Sequence, residues 1–529
     1  MNRTFKKSLC VLLTLIMAFA LVVPSFAALE MNNYPTIRIN GRSALVFDKD
    51  GKQIYTNPDP SFNEVDYAKS LVPIMVKEIS KTMITQDWEG YSRTICDKIT
   101  PLFDMIQLDE NADAKDGTNG GEWKVGTPLA PSSDYTFQWD WRVDPLESAA
   151  LLKEYIREVK RVNNCDKVNI DSRCLGSVIA TAYLYLAGDE AKDSIANLVL
   201  YVPTVVGSQT VGALFANQIN FDDKAIDEFI TYYMNGPDRF FNNTEYGDDL
   251  EVFIGTFCSF LYQLKVLGYG MEAITYIYNQ IKDYMVPRLA TNVFFFPTYW
   301  AMIDDRYYES AKEQLFKENS DGYYTVDKNE YAGYIEKIDN YHYNVLVNYE
   351  KILTDAKESG INISVIAKYG NNLLPVEKDC RVQGDGRIET KGLSFGATCS
   401  NITETLSDEY IASHDSKYIS ADKKIDASTC LFPDSTWFVR DCAHGTFPDC
   451  IERFKSVLIR SKEQPTIENM KEYGYTQFMA YSEEKGTLSE ITGLAESDKL
   501  YNHDFISTIF RFLTALIKLL TKIMATKKA

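Results

Sequence analysis

The sequence predicts an α/β protein with a mostly parallel sheet. Between residues 137 and 203, extended and helical patterns alternate as strand, helix, strand, tight turn, helix, strand. A βαβαβ series of this kind pairs its strands in parallel, with crossover helices between them. The composition is that of a folded chain: of 529 residues, 45% are apolar and 24% charged. That excludes wholesale disorder and a multi-span membrane protein. No internal repeat or long low-complexity tract interrupts the pattern.

The elements follow in order. Residues 1–27 read as a secretory signal: Arg3, Lys6 and Lys7 are basic, Leu9 to Val23 is apolar, and Ser25 and Ala27 are the small residues of a cleavage site. The alternative is a retained anchor, for which the apolar run is short. The expected location is therefore secreted or cell-surface. Asp48-Lys49-Asp50-Gly51 reads as a hairpin turn between ALVF and QIY, and residues 113–121 as a loop. Phe137 to Trp141 alternates like a strand. Asp144, Pro145 and Glu147 then open a helix that runs to about Val162. A strand at VNI (168–170), an apolar helix after residue 174 and a strand at 195–203 complete the series. Residues 204–360 form an insertion with helical runs at 222–235, 250–268, 271–285 and 331–358. Its dense aromatics read mostly as helix-to-helix core. Strands at Val365–Tyr369 and Thr436–Arg440 and a helix at 448–459 follow, and 461–504 is a polar C-terminal extension, helical at best.

In the last segment, 505–529, Ile506, Ile509, Phe510, Leu513, Leu516, Ile517 and Leu520 recur at helical spacing, with Arg511, Lys518 and Lys522 on the other face. Such a basic amphipathic helix suits peripheral contact with an anionic membrane or a cell-envelope polymer. It equally suits docking of its apolar stripe on the protein's own core or on a second copy. The chain as a whole carries a net charge of −19, which disfavours nucleic acid as a partner. Nine cysteines follow Cys10, with no C-x-x-C pair among them, so a zinc ribbon is unsupported. No cofactor and no metal are expected. An odd count leaves at least one thiol free if the others pair, and the sequence does not fix the pairing.

The turn after VNI carries the chemistry. In a strand–turn–helix box, the central residue projects from the end of the sheet and its neighbours must be small. Here the box is Ser172-Arg173-Cys174-Leu175-Gly176. With the surrounding order of elements, it resembles the α/β-hydrolase superfamily, and within it the lipase branch around lecithin:cholesterol acyltransferase. W-D-W-R-x-x-P at Trp139–Pro145 is similar to that branch's Y-D-W-R-x-x-P, and V-N-I-x-S-R-C-L-G-S to its V-N-L-x-G-H-S-M-G-G. FFFPTYW at 294–300 resembles a P-x-x-W cap segment, and G-D-G-R-I at 384–388 a D-G-x-V acid turn. The likeness spans roughly residues 35–460. It departs in the box, where Ser172, Arg173 and Cys174 replace glycine, histidine and serine. It departs again near the N-terminus, where Asn40-Gly41 stands in an altered loop. Dienelactone hydrolases carry a similar cysteine, in G-Y-C-L-G-G.

The resemblance implies an α/β-hydrolase core at 28–203 and 361–460, with 204–360 as a helical cap or lid. It implies Cys174 as nucleophile, Asp385 as the acid and His444 as the base, in the superfamily's chain order. Of the other histidines, His342 falls in a helical run, His414 in a polar loop and His503 just before the tail. The oxyanion hole would use the amides of Leu175 and Arg42, with Ser43 as the alternative to Arg42. The expected activity is a carboxylic-ester hydrolase or acyltransferase, lipase-like, working through a thioester on a small-molecule or lipid acyl ester. The competing expectation is a hydrolase-fold protein without catalysis that serves in surface binding.

Overall fold

The structure, a computed structural model, describes residues 30–41, 45–56, 64–235, 262, 266–494 and 513–514. The expected signal at 1–27, most of the helical run at 250–268 and all but two residues of 505–529 lie outside them. No helix among the described residues is long and apolar enough to cross a membrane.

One sheet organises the chain. Its strands are β1 (Thr36–Ile39), β2 (Asp134–Thr136), β3 (Val168–Arg173), β4 (Ile195–Tyr201), β5 (Asn362–Tyr369), β6 (Thr436–Arg440), β7 (Phe478–Ser482) and β8 (Thr487–Glu490). They lie in the order β8-β7-β6-β5-β4-β3-β1-β2. Every neighbouring pair is parallel except β7 with β8. Strands β3 to β6 are buried almost without interruption along their length. Continuous burial, rather than burial of alternate residues, means that both faces are covered. The helix α1 (Pro145–Asn163) packs on α2 (Leu175–Ala187), while α3 (Asp449–Arg460) packs against β3 and β4. With the helical insertion between β4 and β5, this is an α/β-hydrolase fold.

Four asparagines, three of them buried and Asn362 half-buried, tie the strand starts together. Asn169 Nδ2 donates to Asn32 Oδ1 at 2.9 Å, Asn197 Nδ2 to Asn169 Oδ1 at 3.0 Å, and Asn362 Nδ2 to Asn197 Oδ1 at 2.9 Å. Asn32, Asn169 and Asn197 each both donate and accept, and Asn362 donates to Asn197 and to the Lys462 carbonyl, so the ladder satisfies polar groups that burial would otherwise penalise.

Three expectations need correction. The paired strand expected at Phe137–Trp141 lies earlier, at Asp134–Thr136. Tyr135, Phe137 and Trp139 do alternate inward, but the Gln138 carbonyl accepts from Trp123 N, in a loop rather than in the sheet. The helix expected over 331–358 is broken by a π-helical segment, His342–Leu346, between Ala332–Tyr341 and Tyr349–Glu358. One extra residue in the turn lets Tyr341 and His342 both bury. His342 there stacks on Tyr308 with ring centroids 3.5 Å apart and bonds Asp305. Finally, 461–504 is not simply a polar extension, because β7 and β8 within it extend the sheet. A strand near the sheet's edge needs few buried residues, and Phe478 and Met479 suffice, Phe478 stacking on Phe438 at 5.4 Å.

The D-W-R run holds the core beside the sheet. Arg142 is fully buried and meets Asp140 through two bonds, of 3.0 and 2.6 Å. Its Nη1 donates to the Ile106 carbonyl and to Thr118 Oγ1. A buried guanidinium that loses its carboxylate keeps an uncompensated charge. Asp140→Ala should therefore lower stability by about 3–5 kcal/mol in urea unfolding, and a loss under about 1 kcal/mol would contradict this account of the pair.

Candidate active site

Cys174 sits at the turn between β3 and α2, with φ 50° and ψ −125°. A residue with a Cβ is strained there. The turn is held in that shape by close packing against β1. A Cβ on Gly176 would lie 2.0 Å from the Ile39 carbonyl oxygen, so no larger residue fits. A Cβ on Gly41 would lie 3.1 Å from Cys174 Cβ and 3.6 Å from Sγ. The loop after β1 therefore passes directly beside the sulfur.

The two unusual residues of the box have structural outlets. Ser172 is fully buried, donates to the Val199 carbonyl at 3.1 Å and lies 3.3 Å from Ser177 Oγ. Its hydroxyl therefore needs no space in the turn. Arg173 lays its guanidinium 3.7 Å from the centre of the Phe447 ring and bonds Glu452 at 3.1 Å. Glu452 also pairs with Lys455, which pairs with the buried Asp171 at 2.9 Å. The arginine is thus engaged in a network below the turn.

The two other sequence-selected residues arrive from distant strands. The turn after β5 carries Asp385, which is fully buried. Its Oδ1 accepts from the amides of Arg387 and Ile388 at 3.0 and 2.9 Å. The turn after β6 carries His444. Its backbone N–H donates to the Asp385 carbonyl at 2.8 Å, and its Nδ1 lies 2.5 Å from Asp385 Oδ2. His444 Nε2 lies 3.2 Å from Cys174 Sγ. The structure therefore brings Cys174, His444 and Asp385 into one hydrogen-bonded line. His342 and His414 are elsewhere, each stacked on a tyrosine, and His503 lies outside the described residues.

Electrostatics follow from this burial. Burial opposes the charged form of His444, but the adjoining Asp385 carboxylate and Cys174 sulfur outweigh it and raise its pKa to about 10. For Asp385 burial again works against charge, and the imidazole, the Ile388 amide and the nearby Lys368 overcome it, holding the carboxyl below its ordinary range. Asp385 is thereby kept ionised and His444 inclined to hold a proton.

Of the expected oxyanion donors, Leu175 is the first residue of α2, where an amide has no intrahelical acceptor. Arg42 and Ser43 lie outside the described residues. The chain on either side of them is pinned by the W-D-W run. Trp139 Nε1 donates to the Asn40 carbonyl at 3.2 Å, and Trp141 Nε1 to the Leu45 carbonyl at 3.3 Å. The Trp141 carbonyl in turn accepts from Thr298 Oγ1 in the P-x-x-W segment of the insertion. None of the eight described cysteines, Cys174 included, is joined to another by a disulfide. Among the described residues, no group of three or more His, Cys, Asp or Glu side chains is arranged to hold a metal ion.

Sequence reasoning missed the groups that support the histidine turn. Lys368 Nζ donates to the carbonyls of Ala443 and Thr446, both at 2.7 Å, and Tyr201 Oη donates to Thr446 at 3.3 Å. A lysine inside the apolar run ISVIAKY was the available signal.

No protein-family description matches the chain, and no curated protein matches it either. Among solved structures it is similar to a chain of "The crystal structure of Tle4-Tli4 complex", at 11% identity, covering 93% of this chain and 99% of that one, with a TM-score of 0.25. So loose a likeness carries no argument about fold or function, and both rest on the strand order and side chains described above.

Two expectations follow. The His444–Asp385 pair should stabilise the fold in a bounded pH window. The raised histidine gives its full contribution below its ordinary 6.5 and loses it as pH rises towards about 10. The lowered carboxyl gives its contribution above its ordinary 3.8 and loses it as pH falls further. The gap in urea midpoint between the parent and Asp385→Asn should therefore be widest from about pH 4 to 6.5 and shrink towards pH 10. A gap that widens with alkali would contradict the assigned charges. Strain at residue 174 gives the second expectation. Cys174→Gly should be more stable than Cys174→Ala by about 1 kcal/mol, the reverse of the usual order, because only glycine relaxes at that φ. An alanine variant of equal or greater stability would show the turn to be unstrained.

Proposed function

We propose that the protein is an ester hydrolase or acyltransferase acting through Cys174. The observation that carries this reading is the unbroken hydrogen-bonded order from Cys174 through His444 to the buried Asp385. It is supported by the residue types, by their order along the chain and by the turn that presents the sulfur at the end of a parallel sheet. The likeness of the W-D-W-R-x-x-P run and the P-x-x-W segment to the lipase branch points to acyl esters, small or lipid, as the substrate class.

The chemistry runs as two acyl transfers. Cys174 Sγ gives its proton to His444 Nε2 and attacks the ester carbonyl carbon, forming a carbon–sulfur bond. The carbonyl electron pair moves to oxygen, where the Leu175 amide receives the developing charge, with the amide of Arg42 as the second donor. The pair then returns, the bond to the alcohol oxygen breaks, and His444 protonates the departing alkoxide. A thioester remains. Water, or a second alcohol, loses a proton to His444 and attacks the thioester. The acid or a new ester leaves, and the sulfur recovers its proton from His444. Throughout, Asp385 holds the ring in the tautomer that carries hydrogen on Nδ1 and balances the imidazolium.

An exported protein is the natural setting for this reading, since residues 1–27 have the pattern of a secretory signal. The basic amphipathic pattern at 505–529 would then place the enzyme against an anionic surface where lipid esters are presented.

The test is selective alkylation coupled to turnover. Iodoacetamide followed by peptide mapping should label Cys174 first, and His444→Ala should abolish that preference. Cys174→Ala should retain the parent's circular dichroism yet lose hydrolysis of short p-nitrophenyl esters by about a thousandfold or more. Equal turnover in mutant and parent would refute the assignment. Unlabelled Cys174 in a folded, inactive protein would favour a binding role for the fold.

A further inference from the structure

We propose that Lys368 is a positioning residue of this site, whose ammonium gathers the carbonyls around His444 and so sets the reach of the imidazole to Cys174. The inference rests on the triad reading above and extends it to a residue outside the hydrogen-bonded line.

Lys368 is the seventh residue of β5, in a strand whose last seven positions are all buried, and is itself fully buried. Its Nζ donates to the Ala443 and Thr446 carbonyls at 2.7 Å each, and the His444 carbonyl lies at 3.4 Å. The three hydrogens of an ammonium thus face three main-chain oxygens of a single turn. The Tyr201 and Phe447 rings lie 5.0 and 5.2 Å from the same nitrogen. The backbone of Lys368 is also held, since its carbonyl accepts from Thr390 Oγ1 at 2.9 Å.

These contacts complement the tie from Asp385. That residue fixes His444 from one side, through its carbonyl to the backbone N–H and its carboxylate to Nδ1. Lys368 holds the carbonyls before and after the histidine, so the ring is anchored at the main chain on either side of its Cα. A buried ammonium is retained at a cost only where something fixed must accept it. Here the acceptors all belong to the turn that carries His444.

The experiment compares Lys368→Met and Lys368→Arg with the parent, using a short p-nitrophenyl ester and the iodoacetamide rate constant at Cys174. With the fold intact by circular dichroism, Lys368→Met should lower kcat by about 100-fold, the scale of an ångström-sized misplacement, and slow Cys174 alkylation in parallel. KM should stay within about twofold, because ground-state binding is untouched. Lys368→Arg, which keeps charge and donors, should recover part of both losses. A folded Lys368→Met with parental kcat and alkylation rate would overturn the proposal. So would failure of both variants to fold, which would assign Lys368 to stability alone. If the parent itself shows no His444-dependent alkylation, the triad reading fails first, and that result is distinct from a parent that is reactive whatever stands at 368.

Discussion

The approach of Gly176 to the Ile39 carbonyl governs the geometry of the site. Because the start of α2 presses against the end of β1, the chain between β3 and α2 turns through a strained conformation at residue 174. That turn lifts the sulfur clear of the sheet, and the parallel strands then decide what can meet it. The loops that follow β1, β3, β5 and β6 all leave from the same end, so Gly41, Cys174, Asp385 and His444 converge although some 400 residues separate the first from the last. The insertion between β4 and β5 adds its own hold through Thr298 and the Trp141 carbonyl, linking it to the W-D-W run beside the site.

Charge is distributed unevenly around this point. The chain carries a net charge of −19, yet the space beneath the turn collects Arg173, Lys368 and Lys455. Each is engaged: Arg173 by Glu452 and Phe447, Lys455 by Asp171 and Glu452, Lys368 by backbone carbonyls. Partnered cations in a buried region stabilise neighbouring negative charge without competing for water. At Asp385 the imidazole of His444 is the main support for the carboxylate and Lys368 adds to it, although burial pulls the lysine's own pKa down. The site is therefore assembled from compensated charges rather than from one exposed polar patch.

Much of this was legible in the sequence, and the reasons differ by element. The strand at Thr436–Arg440, the helix opened by Asp144-Pro145 and the Cys174 turn each rest on local rules, and each stands where those rules put it. The convergence of Asp385 and His444 with Cys174 was readable only from chain order, because no local pattern links residues 385 and 444. The break at His342 was not readable, since a π segment is set by which residues must turn inward against Tyr308. Strands β7 and β8 were obscured because an edge hairpin can be mostly polar and still close a sheet. Lys368 was overlooked because a lysine in a strand is ordinarily taken as solvent-facing, whereas here it faces carbonyls.

The two ends of the sheet have a consequence of their own. An open row of amide and carbonyl groups at an edge is a template on which another polypeptide can add, the first step towards cross-β stacking. Here β2 is only three residues long and carries Asp134 in an ion pair with Arg38, while β8 is four residues with exposed Thr487, Ser489 and Glu490. Short, polar margins offer an incoming chain little to hold. The same economy that hid β8 from sequence reading thus guards a highly apolar parallel sheet against fibrous self-association.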